Sequence, residues 1–356
     1  MPIFDLHAAC NPVLLVPGSE LSPTPLNPTN YNLLAAGGAS VLTGASGHVM
    51  LQVPQFQYSY SFSGTSHKYQ VSLLPFAGSQ IFPAFIKSGV IVPYRYIGIY
   101  PASWYDVSAA AYVDGDGVLS GWDNATDKIG SIVGKKPASN LTRAKFRGAA
   151  ARVGAGWSIM DFWLYALAKM LYITKYGDFD SQTVLGQGNS RFSAWSFATD
   201  ISATGKVLTI NAIGQSTSGG NTGDYVNLLG IEDIFGGLYE FIDGWNINSG
   251  ANYICSTPAN FADDTTTNYS AYGSGNPAAS GWQATLQQNV AMLPATVGGT
   301  GNSSVDICDY YWYTSGWVAP CVGGYAADGS YVGLFYLHAY SASSNAGGNI
   351  GARLCF

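Results

Sequence analysis

Ser158 to Tyr176 reads SIMDFWLYALAKMLYITKY. Ile159, Phe162, Trp163, Ala166, Leu167, Met170 and Ile173 recur at three- and four-residue spacing, which gives a helix one wide apolar face. Ser158 stands where an N-cap is wanted, with Asp161 three positions on, the spacing of a capping box. Gly177 follows where a left-handed C-terminal residue is favoured. The spacing therefore predicts a helix over Ser158 to Tyr176 with its aromatic stripe in a core. Upstream, NLTRAKFRGAAARV (Asn140 to Val153) predicts a second helix that turns Leu141, Phe146 and Ala149 inward.

Outside these helices the pattern changes. Leu51 to Tyr60, Lys68 to Leu74, Phe82 to Phe85 and Val92 to Tyr100 are short, alternating and aromatic-rich, which predicts strands. After Gly186 the chain runs through loops rich in Gly, Ser, Thr and Asn, with short strands between them. Two helices among many short strands make the fold class α+β. Residues 1 to 44 carry Pro2, Pro12, Pro17, Pro23, Pro25 and Pro28 with no sustained period. They are expected as an extended N-terminal arm, either a linker or a segment packing along neighbouring subunits, with a floppy tail as the bland alternative. Residues 45–356 are expected as one domain.

Charged residues make up only 10% of the 356-residue chain, against about 25% in ordinary soluble domains. The surface must be built largely from uncharged polar and aromatic groups, including 24 Tyr and 9 Trp. A net charge of -6 argues against general nucleic-acid affinity. The N-terminal MPIFDLHAACNPVLLVPGSEL has no basic n-region, and Pro12 and Pro17 break its apolar runs, so no signal peptide is expected. No apolar run is long enough for a spanning helix, and no membrane insertion is expected.

The candidate chemistries are thin. Cys10, Cys255, Cys308, Cys321 and Cys355 are odd in number and irregularly spaced, so no disulfide framework is implied. They form no zinc-ligand spacing with His7, His48, His67 and His338. Asp114-Gly-Asp116-Gly suggests a calcium loop, but Val118 stands where an oxygen ligand is needed, so a turn is the better reading. Lys128, Lys135, Lys136, Arg143, Lys145, Arg147 and Arg152 crowd seven of fifteen basic residues into one stretch. They would either meet an anionic partner or form a solvated helix face. No nucleophile, base and orienting group occur together, so no catalytic residue, metal or cofactor is expected and the chain does not read as an enzyme.

The last segment, Val322 to Phe356, reads VGGYAADGSYVGLFYLHAYSASSNAGGNIGARLCF. A frame (Val322-Gly323-Gly324, Gly333-Leu334, Ser343-Ser344-Asn345, Asn349 to Leu354) alternates with Tyr325, Ser330, Tyr331, Phe335, His338, Tyr340, Ser341, Gly347 and Gly348. Tyr offers a large contact area with two torsions to freeze, and Ser and Gly offer adaptable hydrogen bonding, the mixture that paratopes use. Those nine residues are the expected receptor-binding set. A Gly/Ser/Tyr-rich terminal loop without a ligand is the alternative.

This tail resembles the variable repeat of phage receptor-binding proteins diversified by retroelements. MLQVPQFQYSYSFSGTSHKYQVSLLPFAGSQIFPAFIKSGVIVPYRYIGIYPASWYD, from Met50, is similar to the opening of phage tail proteins with a C-type lectin fold of the formylglycine-generating-enzyme subtype. Gly230 to Asp243 (GIEDIFGGLYEFID) resembles that group's Glu-and-Trp core element, with Gly237 where Asn is usual and Tyr239 and Phe241 in place of the tryptophans. Glu240 remains available to brace its turn.

The resemblance implies a C-type lectin-like domain over 45–356, with a variable-repeat-like end over 309–356 and residues 1–44 as a virion-attachment arm. It implies a phage tail adhesin on the virion surface, a homotrimer that binds a host cell-surface protein or glycan beside other virion proteins. A structural virion protein without receptor binding, such as a capsid decoration or tail-collar subunit, is the alternative. The oxidase chemistry known on the same fold needs a cysteine pair that these motif positions lack.

Overall fold

The computed structural model describes residues 5–190, 195–211, 224–301 and 307–356. The chain begins with strands β1 (Asn11–Leu15), β2 (Thr24–Asn27), β3 (Asn30–Leu34) and β4 (His48–Pro54). A long hairpin follows, β5 (Gln57–Ser63) and β6 (Ser66–Ser72), and then β7 (Tyr94–Gly98). Helix α1 (Arg143–Ala151), strand β8 (Ser158–Ile159), helix α2 (Phe162–Tyr176) and the short α3 (Ser181–Leu185) occupy the middle. The second half adds β9 (Tyr239–Phe241), β10 (Gly281–Leu286), β11 (Pro294–Val297) and β12 (Tyr310–Tyr313). It ends with β13 (Cys321–Gly323), β14 (Gly333–Ala339), β15 (Ile350–Gly351) and β16 (Leu354–Cys355).

Two seven-stranded sheets organise these elements into an α+β architecture. The first has the order β8-β16-β7-β4-β1-β2-β3, the second β11-β10-β12-β14-β13-β9-β15. The first sheet takes its central strands from the N-terminal half and β16 from the chain end, so the fold closes only when both ends are in place. Helix α2 lies against the second sheet, with the Tyr165 hydroxyl donating to Leu334 O at 2.6 Å and Tyr172 packed edge-on to Phe335. Its buried run from Leu164 to Ile173 joins Leu51, Val53 and Ile97 of the first sheet and Tyr311, Phe335 and Leu337 of the second in the larger core. Phe146 and Ala149 of α1 join a second core on the far side, with Tyr239, Phe241, Cys321 and Tyr336.

Several expectations are corrected here. Residues 5–44 are not a detached arm: β1 pairs antiparallel with both β4 and β2, and Leu14, Leu15, Leu26 and Tyr31 are buried. Pro12, Pro17, Pro23, Pro25 and Pro28 are compatible with this because they fall near the starts of strands or between them. Helix α2 begins at Phe162 with Asp161 as its N-cap, the carboxylate accepting from Leu164 N at 2.9 Å. Ser158 pairs instead with Cys355 in β8. Gly177 closes the helix at φ 68°, as expected. Phe82 to Phe85, expected as a strand, contains a 3₁₀ turn at Pro83–Phe85, where proline at the first position favours a turn start. The stretch 212–223 of the loop-rich region expected after Gly186 lies outside the described residues.

Arg353 ties the two sheets together. Its guanidinium is fully buried and makes a two-pronged ion pair with Glu240 of β9, at 2.6 and 3.1 Å. It also donates to Gly98 O and Ile99 O at the end of β7, and to Glu232 O and Asp233 O. A planar fork with five donors can serve all these acceptors at once. Glu240, expected to brace its turn, pairs with Arg353 instead.

Candidate functional site

The second sheet divides its side chains by parity, as a pleated strand must. In β12, Tyr311 turns into the main core while Tyr310 and Trp312 turn to the opposite face. In β14, which pairs parallel with β12, Phe335, Leu337 and Ala339 face the main core while Tyr336 and His338 share the opposite face with Trp312, the register partner of His338. Trp282 of β10 stands opposite Tyr310 and extends the same row. At the β13–β9–β15 end this face is covered by the second core. At the β10–β12–β14 end the described residues leave it more open, with Tyr310 and Trp312 half-buried and Gly301 lying against the Trp282 ring.

The more open part carries two aromatic clusters, one on each side of the Trp312–His338 register pair. Tyr331 packs on Tyr310 with ring centres 4.5 Å apart and edge-on to Trp282 at 5.0 Å, and Tyr310 contacts Trp312 at 4.8 Å. On the other side of β14, Tyr239 lies under Tyr325 at 4.8 Å and under His338 at 4.9 Å. Trp195 meets Tyr325 at 5.6 Å, and Tyr340 meets His338 at 5.9 Å. Most of these rings are half-buried, and Tyr340 is 57% exposed. Apart from the buried Tyr239, each ring is held by its neighbours yet shows part of its area to solvent.

Part of the polar underside of this surface is hydrogen-bonded, while Trp312 Nε1 is buried without a partner among the described residues. The hydroxyls of Tyr239 and Tyr336 lie 3.0 Å apart and both hydrogen-bond to the Asp328 carboxylate, which also accepts from Tyr325 N at 3.3 Å. Burial pushes the Asp328 carboxyl up to about 6 despite these bonds. Burial also pulls His338 down to about 4, so this ring is neutral near pH 7. On the core side, Asp309 accepts from Phe335 N at 2.5 Å, and a Cβ on Gly333 would lie 2.0 Å from its carboxylate. Only glycine lets β14 approach Asp309 this closely.

The nine sequence-predicted residues separate. Tyr325, Tyr331, His338 and Tyr340 come together on the open face, and Ser330 is exposed in the turn that carries Tyr331. Phe335 does not join them. It is 2% exposed and packs on Tyr172 and Phe179, because its odd position in β14 points to the core. Ser341 is also 2% exposed, its carbonyl accepting from Ala319 N at 2.8 Å, and has no surface to offer a receptor. Gly347 and Gly348 are half-buried elsewhere, Gly347 O accepting from Asn140 N and Gly348 lying against the Gly117 backbone. The sequence reading missed Trp195, Trp282, Tyr310 and Trp312. For Tyr310 and Trp312 the alternation within DYYWY was the signal; Trp195 offers none.

Charge is distributed unevenly. From Val207 through Ala352 the chain contains no Lys or Arg. The next cation, Arg353, is buried on Glu240, so the aromatic face has no basic neighbour in its own segment. The basic cluster expected as a solvated helix face is partly interior: Arg143 is fully buried and Arg147 pairs with Asp243 at 2.7 Å, both also reaching Asp263 at 2.6 Å. Asp116 accepts backbone N–H bonds from Val118 and Ser120 within its own turn, consistent with the turn reading of the acidic loop. The five cysteines are buried. No helix among the described residues is long and apolar enough to cross a membrane. In comparisons with known proteins, no family model matches the chain and no curated protein matches it.

Proposed function

We propose that this chain is a receptor-binding adhesin carried on a phage particle, with a C-type lectin-like fold of the formylglycine-generating-enzyme subtype. It docks a host-surface protein or glycan through the open aromatic face. The observation that carries this reading is the pair of ring clusters on one sheet, Trp282, Tyr310, Tyr331 and Trp312 on one side and His338 and Tyr340 on the other, brought next to each other by the Trp312–His338 register. Solvent-facing rings in such number are costly for a free surface and are the groups that dominate interface energies. Binding proceeds by shape and ring burial, without catalysis, metal or cofactor.

Assembly as a homotrimer would multiply weak single contacts into avid attachment. The decisive experiment is adsorption of the purified protein to host cells, with the Tyr331→Ala/Tyr340→Ala double variant in parallel. The reading expects adsorption to fall at least tenfold in a variant that remains folded. Unchanged adsorption by that variant overturns it.

A further inference from the structure

A second site lies away from the aromatic face. A groove of about 600 Å³ opens between the tip of the β5–β6 hairpin and the turn that leaves β10. Phe62, Thr65 and His67 line one wall, and Ser274, Thr285, Gln288 and Asn289 line the other. None of its lining residues is charged. Its size is within the range of small-molecule sites, about 300–1,000 Å³.

Both walls are built more firmly than a surface crevice requires. The Phe62 and His67 rings meet edge-on at 4.8 Å, and His67 also stacks parallel to Tyr69 at 6.1 Å. The hydroxyls of Tyr60 and Tyr69 take up His67 Nδ1, at 3.0 and 3.3 Å, so Nε2 is the ring nitrogen left for a ligand. Opposite, the buried Gln287 amide donates to Gly275 O at 2.8 Å and Pro294 O at 3.0 Å. Its carbonyl oxygen accepts from Ser274 N at 3.1 Å and Asn289 Nδ2 at 3.3 Å. A Cβ on Gly273 would come within 2.1 Å of that oxygen, so only glycine allows this closure. Behind the turn, the buried Lys169 of α2 donates to Ala291 O and to Met292 O, and stacks over Tyr165 at 4.3 Å. A buried lysine and a buried amide are thus committed to fixing the outer wall.

We infer that this groove binds an uncharged oligosaccharide. A sugar ring presents an apolar C–H face and an edge of hydroxyls that both donate and accept. The Phe62–His67 pair supplies the platform for the first, and the exposed side chains of Ser274 and Gln288, with His67 Nε2, supply donors and acceptors for the second. A phosphate, sulfate or carboxylate would find no cation in the lining, which excludes acidic glycans.

The test is saturation-transfer NMR on the full chain with maltotriose, cellotriose and triacetylchitotriose as probes and sialyllactose as the anionic control. Binding of at least one neutral trisaccharide is expected, weakened tenfold or more by Phe62→Ala and abolished by Thr285→Trp, which fills the groove from an exposed position. Tyr331→Ala/Tyr340→Ala should leave it unchanged, so the groove and the aromatic face stand or fall separately. Absence of binding by all three neutral probes overturns the assignment. So does preference for sialyllactose, or binding that survives Thr285→Trp in a protein with unaltered melting.

Discussion

The two faces of strand β14 carry similar residues to opposite ends. Phe335 and Leu337 pack against α2, while His338, two residues from Tyr336 and three from Phe335, lies at the rim of the open face. The tail is rich in aromatic and small residues throughout, so composition alone cannot separate core from display. The difference is parity within the strand and what covers each side: α2 covers one, while at the β10–β12–β14 end of the other the described residues leave Tyr310, Trp312 and Tyr331 half-buried, with Gly301 packed on Trp282.

Truncation on the covered side gives the largest expected effect. Phe335→Ala should cost about 3–5 kcal/mol of folding stability through a cavity against Tyr172 and Phe179, read by chemical denaturation. A loss below about 1 kcal/mol would mean that Phe335 belongs with the displayed rings after all.

The buried carboxylate beneath the rings comes next. Asp328 has its folded pKa raised to about 6 from an ordinary value near 3.8. Between those limits the folded chain keeps a proton that the unfolded chain releases. The group therefore penalises folding fully above about 6, and the penalty fades as pH falls toward about 4. Glu232, raised to about 7 by burial, acts in the same direction. Tm should rise between about pH 7 and about pH 5, and Asp328→Asn should reduce that rise by about 1 kcal/mol, the worth of the roughly one pH unit of that window below the folded pKa. An identical pH profile in the variant would show that the carboxylate is not enclosed under Tyr239 and Tyr336.

On the open side the expected effects move from stability to binding. Tyr331→Ala should weaken adsorption by about 2 kcal/mol. It should also cost about 1 kcal/mol of stability, because this ring is wedged between Trp282 and Tyr310. Tyr340→Ala, at a more exposed ring, should change stability by less than about 0.5 kcal/mol while still reducing adsorption. Equal stability losses at Tyr340 and Phe335 would erase the distinction between the two faces.

Much of this arrangement was legible in the sequence. The 3.6-residue stripe of Phe162 to Ile173 announces α2, and the Gly-rich frame announces a tail held in a fixed register. What was not legible depends on partners distant in the chain. Residues 5–44 read as an extended arm until β4 supplies a pairing edge for β1. Ser158 looks like a cap until Cys355 claims its backbone. Phe335 and Tyr331 are equally plausible contact residues until α2 is placed against one of them. The rings that join the tail from outside it, Trp195 and Trp282, carry no local signal because only the tertiary fold brings them there.

The smallest expected effect discriminates most sharply between the open face and the other surface once considered for binding, the basic stretch from Lys128 to Arg152. Exposed charges attract through solvent and are screened over about 8–10 Å at moderate salt, whereas ring burial is not. The aromatic face has no Lys or Arg in its own segment from Val207 to Ala352, and Arg353 is spent on Glu240. Arg143 and Arg147 are likewise engaged by Asp243 and Asp263, which leaves Lys128, Lys135, Lys136, Lys145 and Arg152 as the more available cations of the basic stretch. If the aromatic face makes the contact, adsorption should change less than about twofold between about 50 and about 500 mM NaCl, since no counterions are released from a basic patch. A steep fall with salt, abolished by Lys135→Gln/Lys136→Gln rather than by Tyr331→Ala, would move the binding site to the basic stretch and leave the aromatic sheet as an interface between subunits.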